Sequence, residues 1–468
     1  MAVMKKWGVH ILLMVLFVGM MILNFLNEGT LGGADSYMHH MIAKWAFTHP
    51  KLFFDQWGKP MFTIFSAPFA LLGFKGSVTF NILTSLFSGF LVYKTAKKIG
   101  LDNAWFGIIM TVFAPMFFMM AFTSMTEIIF AFNLILAIYL FVDQKYIWSA
   151  MAISFIPFAR TEGIIFFPLF LLALLGLKQY KSVPLLLFGY VLMSLLGYSF
   201  MDDIWWPITT MPYGDSSGLY GSGKLIHFVE KSPDIFGWPL IVTFCLGLGA
   251  IMAFLVGKFS KKNLAFIFLI LSCSIGYFAA HSVVWAFGLG GSFGLIRVIS
   301  GIIPLVALVS IWGVNMLANW MKPSYVNVFL GMVTIVFIVE AFTKREYPIP
   351  LGAEEKLYDK VAQFVNDQHL NENYIVYYNP YGAFAMKLDH FSWEDSRNQV
   401  YDREMPSSNF PKNTIIVWDA HFSPNEGGLP KQNLFNDDNL TLLKGFQPEH
   451  PFDTWKGDPF EILVFQKK

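Results

Sequence analysis

Charge is scarce in this sequence: only 14% of its 468 residues are Asp, Glu, Lys or Arg, and they nearly cancel to a formal net charge of +1. No broad field can gather nucleic acid or an acidic partner, so any electrostatic work has to be local. Cysteine is scarcer still. Cys245 and Cys273 are the only two, and each sits in an apolar run as a small hydrophobe, which argues against a disulfide framework or a thiolate metal site. Internal repeats and low-complexity tracts are also missing. What the chain has in excess is apolar surface, with 55% hydrophobic residues, 50 of them Phe, and a mean hydropathy of +0.52. That is far from the balance of a soluble domain, and lipid must be part of the solvent.

Apolar stretches that cross, or nearly cross, about 30 Å of hydrocarbon recur at 7–26, 76–93, 104–122, 126–142, 183–201, 237–257, 263–287, 296–319 and 323–342. Lys5 and Lys6 precede the first, no small-residue cleavage signature follows it, and it reads as an uncleaved span. The region 146–178 is split by Arg160, Thr161, Glu162 and Gly163. Two charges in mid-span are costly, so a hairpin of two short helices is expected there. The sum is a polytopic α-helical protein of about eleven crossings. With the N-terminus inside, Lys94, Lys97, Lys98, Lys145, Lys178, Lys181, Lys258, Lys261, Lys262 and Lys322 all fall in inner loops. The segment 61–74 is short and holds Pro68, so it reads as interfacial or re-entrant rather than as a crossing.

Segments 27–75, 202–236 and everything after Thr343 then lie outside. The first two are too long for connectors. The chain divides into a membrane domain, 1–343, with those two outer loops, and a small soluble α/β domain, 344–468, on the extracytoplasmic side. In the latter, 354–369 has helical spacing with Leu357, Val361, Phe364 and Val365 on one face. The segments 375–378, 414–418, 440–446 and 461–465 read as strands.

Ionisable residues close to the outer membrane surface are the informative ones, because lipid gives them no solvation. Asp35 follows Gly32 and Gly33, which permit a tight turn, and would enter the first turn of a helix beginning near Ala34, either as a cap or as a functional carboxylate. Glu127 heads span four, where the helix dipole favours an acid. Arg160 and Glu162 mark the hairpin turn and are close enough in sequence to pair. Arg297 enters a late span after Gly288-Leu289-Gly290-Gly291-Ser292, an approach suited to an anion, although an arginine can also snorkel from that depth. Lys59, with Asp55 and Trp57 just before it, ends the first outer loop and faces lipid phosphate as an anchor or as a site residue. His39, His40 and His49 do not make a three-ligand metal set. Trp205 and Trp206 read as an interfacial belt or a sugar platform.

This set of motifs resembles the GT-C class of membrane glycosyltransferases. It comprises an acid opening the first outer loop, Lys59-Pro60 near that loop's end and Thr126-Glu127 heading span four. Ala159-Arg160-Thr161-Glu162-Gly163 at a turn, Arg297 entering a late span and an outer C-terminal domain complete it. Protein O-mannosyltransferases and the aminoarabinose transferase that modifies lipid A are similar. The resemblance implies a polyprenyl-phosphate sugar donor, a general base at the acid of the first outer loop, and a phosphate contact for Arg297. The base is Asp35, with Asp55 as the alternative, because relatives often carry two adjacent acids where this chain has Asp35-Ser36. Arg160 and Lys59 would assist Arg297, with Glu127, Glu162, Asp55 and His39 in support. Such chemistry needs a base and positive charge at the leaving phosphate and no cofactor or metal. The expected activity is inverting transfer of a sugar, a hexose such as mannose, to a hydroxyl of a protein, lipid or glycan in the bacterial cell envelope. The expected location is the inner membrane, with the bilayer, the donor lipid and the acceptor as partners and no nucleic acid. A flippase for lipid-linked glycans would use the same charges without chemistry, and a scaffold would use only the outer domain. A transporter would be expected to show inverted halves and helices broken at the midplane.

Overall fold

The computed structural model describes residues 2–212, 221–257, 260–290, 292–454 and 456–468. Lys258, Gly291 and the stretch 213–220 of the second outer segment therefore lie outside the described residues. The chain forms two compact units, one of Met1–Leu26 with Pro50–Ile349, the other of Asn27–His49 with Pro350–Lys468.

The first unit is helical. Among the described residues, seven helices are long and apolar enough to cross a membrane: Gly8–Leu26, Phe74–Ile99, Tyr180–Met201, Trp238–Gly257, Lys261–Ala286, Ile296–Asn319 and Pro323–Thr343. The protein is an integral membrane protein. Ile296–Asn319 is enclosed by its neighbours, whereas Gly8–Leu26 and Pro323–Thr343 turn most of their surface outward. Helices Trp238–Gly257 and Ile303–Asn319 approach closely because glycines face each other's backbone. A Cβ on Gly313 would lie 2.1 Å from the Thr243 carbonyl oxygen, and one on Gly247 would lie 2.3 Å from that of Val309. Small residues at such crossings let van der Waals contact replace the hydrophobic force that lipid abolishes.

The run at 104–122 is not one helix. Ala114 is extended ahead of Pro115, and the buried pieces Phe106–Val112 and Pro115–Ala121 flank that break, since a residue before proline is driven out of the α region. The 146–178 region forms two short helices, Tyr146–Ser154 and Phe166–Gly176, joined by the 3-10 turns Ile156–Phe158 and Thr161–Ile165. Pro60–Ala70 is a helix of 11 residues. Trp206 is neither belt nor platform. It is fully buried against Phe54, Phe158 and Met193, and its indole N–H donates to the Met193 carbonyl at 3.2 Å, which satisfies its one donor inside a core. Trp205 beside it is exposed.

The second unit is built on a five-stranded sheet of order β2-β1-β3-β5-β4. Its strands are β1 (Ile375–Val376), β2 (Ser396–Arg397), β3 (Ile415–Asp419), β4 (Leu440–Phe446) and β5 (Ile462–Lys467). β1 runs parallel to β2 and β3, and β5 runs antiparallel to β3 and β4. Helix Ala353–Asp367 buries Leu357, Val361 and Val365, while Phe364 is half-buried. The first outer segment is divided between the units. Its helix Gly33–Trp45 belongs with the sheet, where Tyr37 meets Tyr381 and Phe384 at ring distances of 4.6 and 4.9 Å. Beyond that helix, His49 pairs with Asp389 at 2.7 Å. Gly29 has no room for a Cβ, because the Pro350 carbonyl oxygen would be 2.4 Å away.

Candidate functional site

Each unit holds a cluster of ionisable groups. In the helical unit the cluster starts at Glu127, the first residue of helix Glu127–Val142. Asn81 pins the chain ahead of it by donating to the Thr123 and Met125 carbonyls at 2.8 and 2.9 Å. Glu127 is completely buried. Its Oε1 accepts from Arg160 Nη1 at 2.8 Å and lies 3.4 Å from Arg297 Nε, while its Oε2 has no hydrogen-bond partner among the described residues. The carboxylate sits at the positive end of its helix and joins two guanidinium groups supplied by two other segments.

Arg160 is extended between two tight turns. Its Nε donates to Glu162 Oε1 at 2.6 Å and its Nη1 reaches Thr126 Oγ1 at 3.3 Å. The turn depends on Gly163, whose Cβ would come within 2.9 Å of the Ile156 side chain. Lys59 reaches the same place from the first outer segment. It is a buried non-glycine residue with φ of 63°, and Nζ donates to Thr161 Oγ1 at 2.8 Å. Burial pushes its ammonium down to about 8; Glu162 and Asp55 oppose that shift and Arg160 adds to it. Asp55 accepts from the Gly58 N–H in the turn that leads to Lys59.

Tyr277 completes the cluster. Its hydroxyl donates toward Glu162 Oε1 at 3.4 Å and the Val298 carbonyl at 3.3 Å, and its ring is packed by Phe130, Phe166 and, at 4.5 Å, His281. Lys59, Glu127, Arg160, Glu162 and Arg297 are thus brought together, with Asp55 acting through Lys59. Among these described side chains, the cations Lys59, Arg160 and Arg297 stand with Glu127, Glu162 and Asp55 in a largely desolvated place, where preorganised guanidinium groups suit an anion. Sequence reasoning passed over Tyr277 and His281, and named Thr126 and Thr161 only as parts of motifs. The available signal was Tyr277 and His281 one helical turn apart inside an otherwise apolar span.

In the sheet-bearing unit, Asp35 occupies the first turn of helix Gly33–Trp45 after Gly32 and Gly33, both at positive φ (94° and 54°). His39, four residues on, is buried on the same helix, and His40 packs edge-on to Phe384. The start of this helix borders a cavity of about 300 Å³ whose walls include Gly33, Ala34, Glu354, Tyr381, His421 and Phe422. His421 Nδ1 lies 3.0 Å from Glu354 Oε1, and that hydrogen bond raises the imidazole's pKa. Burial raises Glu355 and Glu426 as well; His421 works against the rise at Glu426 and the charge of Asp35 adds to it. Among the described residues, no group of three or more His, Cys, Asp or Glu side chains is placed to hold a metal ion.

The whole chain is similar in fold to two crystal structures of ArnT from Cupriavidus metallidurans. The structure bound to undecaprenyl phosphate matches with a TM-score of 0.63 at 11% identity, covering 96% of this chain and 97% of that one. The apo structure matches with a TM-score of 0.62 at 12% identity and the same coverage. No protein-family model and no curated protein sequence matches the chain. The fold is shared with ArnT across nearly the full length of both proteins.

Proposed function

We propose that the protein is an inverting glycosyltransferase of the GT-C type. In this reading it moves a sugar from a polyprenyl-phosphate carrier to a hydroxyl of a protein, lipid or glycan. The observation that carries the proposal is the buried cluster of cations, with Lys59, Arg160 and Arg297 gathered around Glu127 and Glu162, on a fold shared with a protein crystallised with undecaprenyl phosphate. A phosphate that departs from an anomeric carbon gains negative charge in the transition state, and preorganised cations in a desolvated place stabilise that charge most.

In the reaction, Asp35 takes the proton of the acceptor hydroxyl, and the oxygen forms a bond to the anomeric carbon from the side opposite the phosphate. The bond from carbon to phosphate oxygen breaks, its electron pair stays on the lipid phosphate, and Arg297, Arg160 and Lys59 neutralise it. Asp55, which accepts from the Gly58 N–H, is the alternative base. Eleven crossings are proposed: the seven long helices, the broken pair across Pro115, Glu127–Val142 and the two halves of the hairpin. They put the N-terminus in the cytoplasm and residues 344–468 outside the inner membrane of a bacterium.

The test uses proteoliposomes and radiolabelled polyprenyl-phosphate sugars. Asp35→Asn is expected to abolish transfer while leaving donor binding intact, and Arg297→Ala to weaken donor binding. Wild-type turnover in Asp35→Asn removes the base assignment. Translocation of the lipid-linked sugar without product would replace the enzyme with a flippase.

A further inference from the structure

The cavity of about 300 Å³ in the sheet-bearing unit is not used by the donor chemistry. It is at the small end of ligand pockets, large enough for one ring. Three aromatic side chains, Tyr381, Phe422 and Phe452, form part of its wall. Glu354 and Glu355 project from the first turn of helix Ala353–Asp367, and both line it.

Asn379 also lines it and is 2% exposed. Its Oδ1 accepts from the Tyr381 N–H at 2.8 Å, which fixes the amide in the wall. The surrounding charge is negative. Glu355 lies in the fields of Glu354 and Asp359, and Glu426 in those of Asp35 and Asp419. No lysine or arginine is among the described lining residues, and the imidazole of His421 is already hydrogen-bonded to Glu354.

Flat apolar rings, carboxylate acceptors and an amide around a ring-sized hollow match the alternating C–H faces and hydroxyl edges of a saccharide, and the negative field rejects a phosphorylated one. We infer that this hollow binds a sugar ring without negative charge, uncharged or amine-bearing, and that this ring belongs to the acceptor. Its hydroxyls donate to Glu354 and Glu355, one of its oxygens accepts from the Asn379 amide, and its apolar face lies on Phe422 and Tyr381. Gly33 and Ala34 at the rim directly precede Asp35, so a ring held here brings a hydroxyl to the turn that carries the carboxylate. The identity of the sugar as acceptor rests on the transferase reading; the binding of the sugar does not.

The experiment is saturation-transfer NMR on the full chain in nanodiscs with glucosamine, N-acetylglucosamine and glucosamine 6-phosphate as probes. The first two are expected to receive saturation and the phosphate ester is not. Glu355→Gln and Phe422→Ala should each weaken binding about tenfold, the worth of one hydrogen bond to a charged group or one lost ring contact, with lipid-phosphate binding retained as evidence of folding. Equal binding of the phosphate ester, or unchanged binding in both variants, overturns the inference. Sugar binding with no transfer from any polyprenyl-phosphate donor would refute the transferase reading alone. Transfer with an unchanged acceptor KM in Glu355→Gln would refute the subsite alone.

Discussion

Replacing Glu127 with Gln keeps the shape of the side chain and removes a charge that joins Arg160 to Arg297. The carboxylate is fully buried, and the two guanidinium groups are only 17% and 19% exposed, so water cannot take over its role. Opposite charges about 4 Å apart at an effective dielectric near 20 interact by about 4 kcal/mol. Glu127 serves two such partners, but the substitution also recovers the cost of burying its own charge. The net loss for breaking a buried pair of this kind is about 3–5 kcal/mol. Glu162→Gln is the comparison: its side chain is 30% exposed, so partial screening should make its loss smaller than that of Glu127→Gln. Denaturant unfolding in detergent micelles reads both values. The lost charge supplies a second readout, because the surrounding cations would then lack one of their carboxylates. Undecaprenyl phosphate should therefore stabilise Glu127→Gln by a larger margin than it stabilises the wild type. If Glu127→Gln is as stable as the wild type, or gains no more from the lipid phosphate, the view of Glu127 as the clamp on an anion site is wrong.

Lys59 should make the proposed donor site sensitive to pH. Its folded pKa of about 8 lies below that of an unfolded lysine, so the protonated side chain costs stability at neutral pH, and this cost disappears as pH rises from about 8 towards 10.4. Binding runs the opposite way: affinity for a polyprenyl phosphodiester should fall as pH passes through about 8, and Lys59→Met should weaken binding and flatten that profile in a scintillation-proximity titration. At the Gly313 crossing, an added methyl meets the Thr243 carbonyl oxygen at 2.1 Å, backbone that cannot rotate away. Gly313→Ala should therefore cost about 3 kcal/mol in the same unfolding assay, whereas Gly331→Ala, with nothing within 4 Å of the added atom, should cost far less.

The parts of this molecule that could be read from the sequence are those in which one residue's cost has one explanation. A bilayer demands about 20 apolar residues per helix, so long spans such as Trp238–Gly257 and Pro323–Thr343 announce themselves. A charge near lipid needs a reason, so Lys59, Glu127, Arg160, Glu162 and Arg297 stood out before anything showed that they touch. Tyr277 and His281 escaped because an aromatic or imidazole ring is tolerated in a span without a partner, and their role emerges only when Glu162 is set beside Tyr277 by the hairpin turn. Trp206 escaped for the converse reason: a tryptophan before a proline at a membrane edge has a ready interfacial explanation, and burial against Phe54, Phe158 and Met193 is invisible until chain segments some 150 residues apart are brought together. β2 spans two residues, Ser396 and Arg397, too few to show any alternation. The division of the first outer segment depends on Tyr37 finding Tyr381 and Phe384, a contact no local pattern encodes. This division puts Asp35 on the same compact unit as the acidic, aromatic hollow and the three cations on the other. In the proposed reading, donor and acceptor recognition then fall to units that substitutions can perturb one at a time.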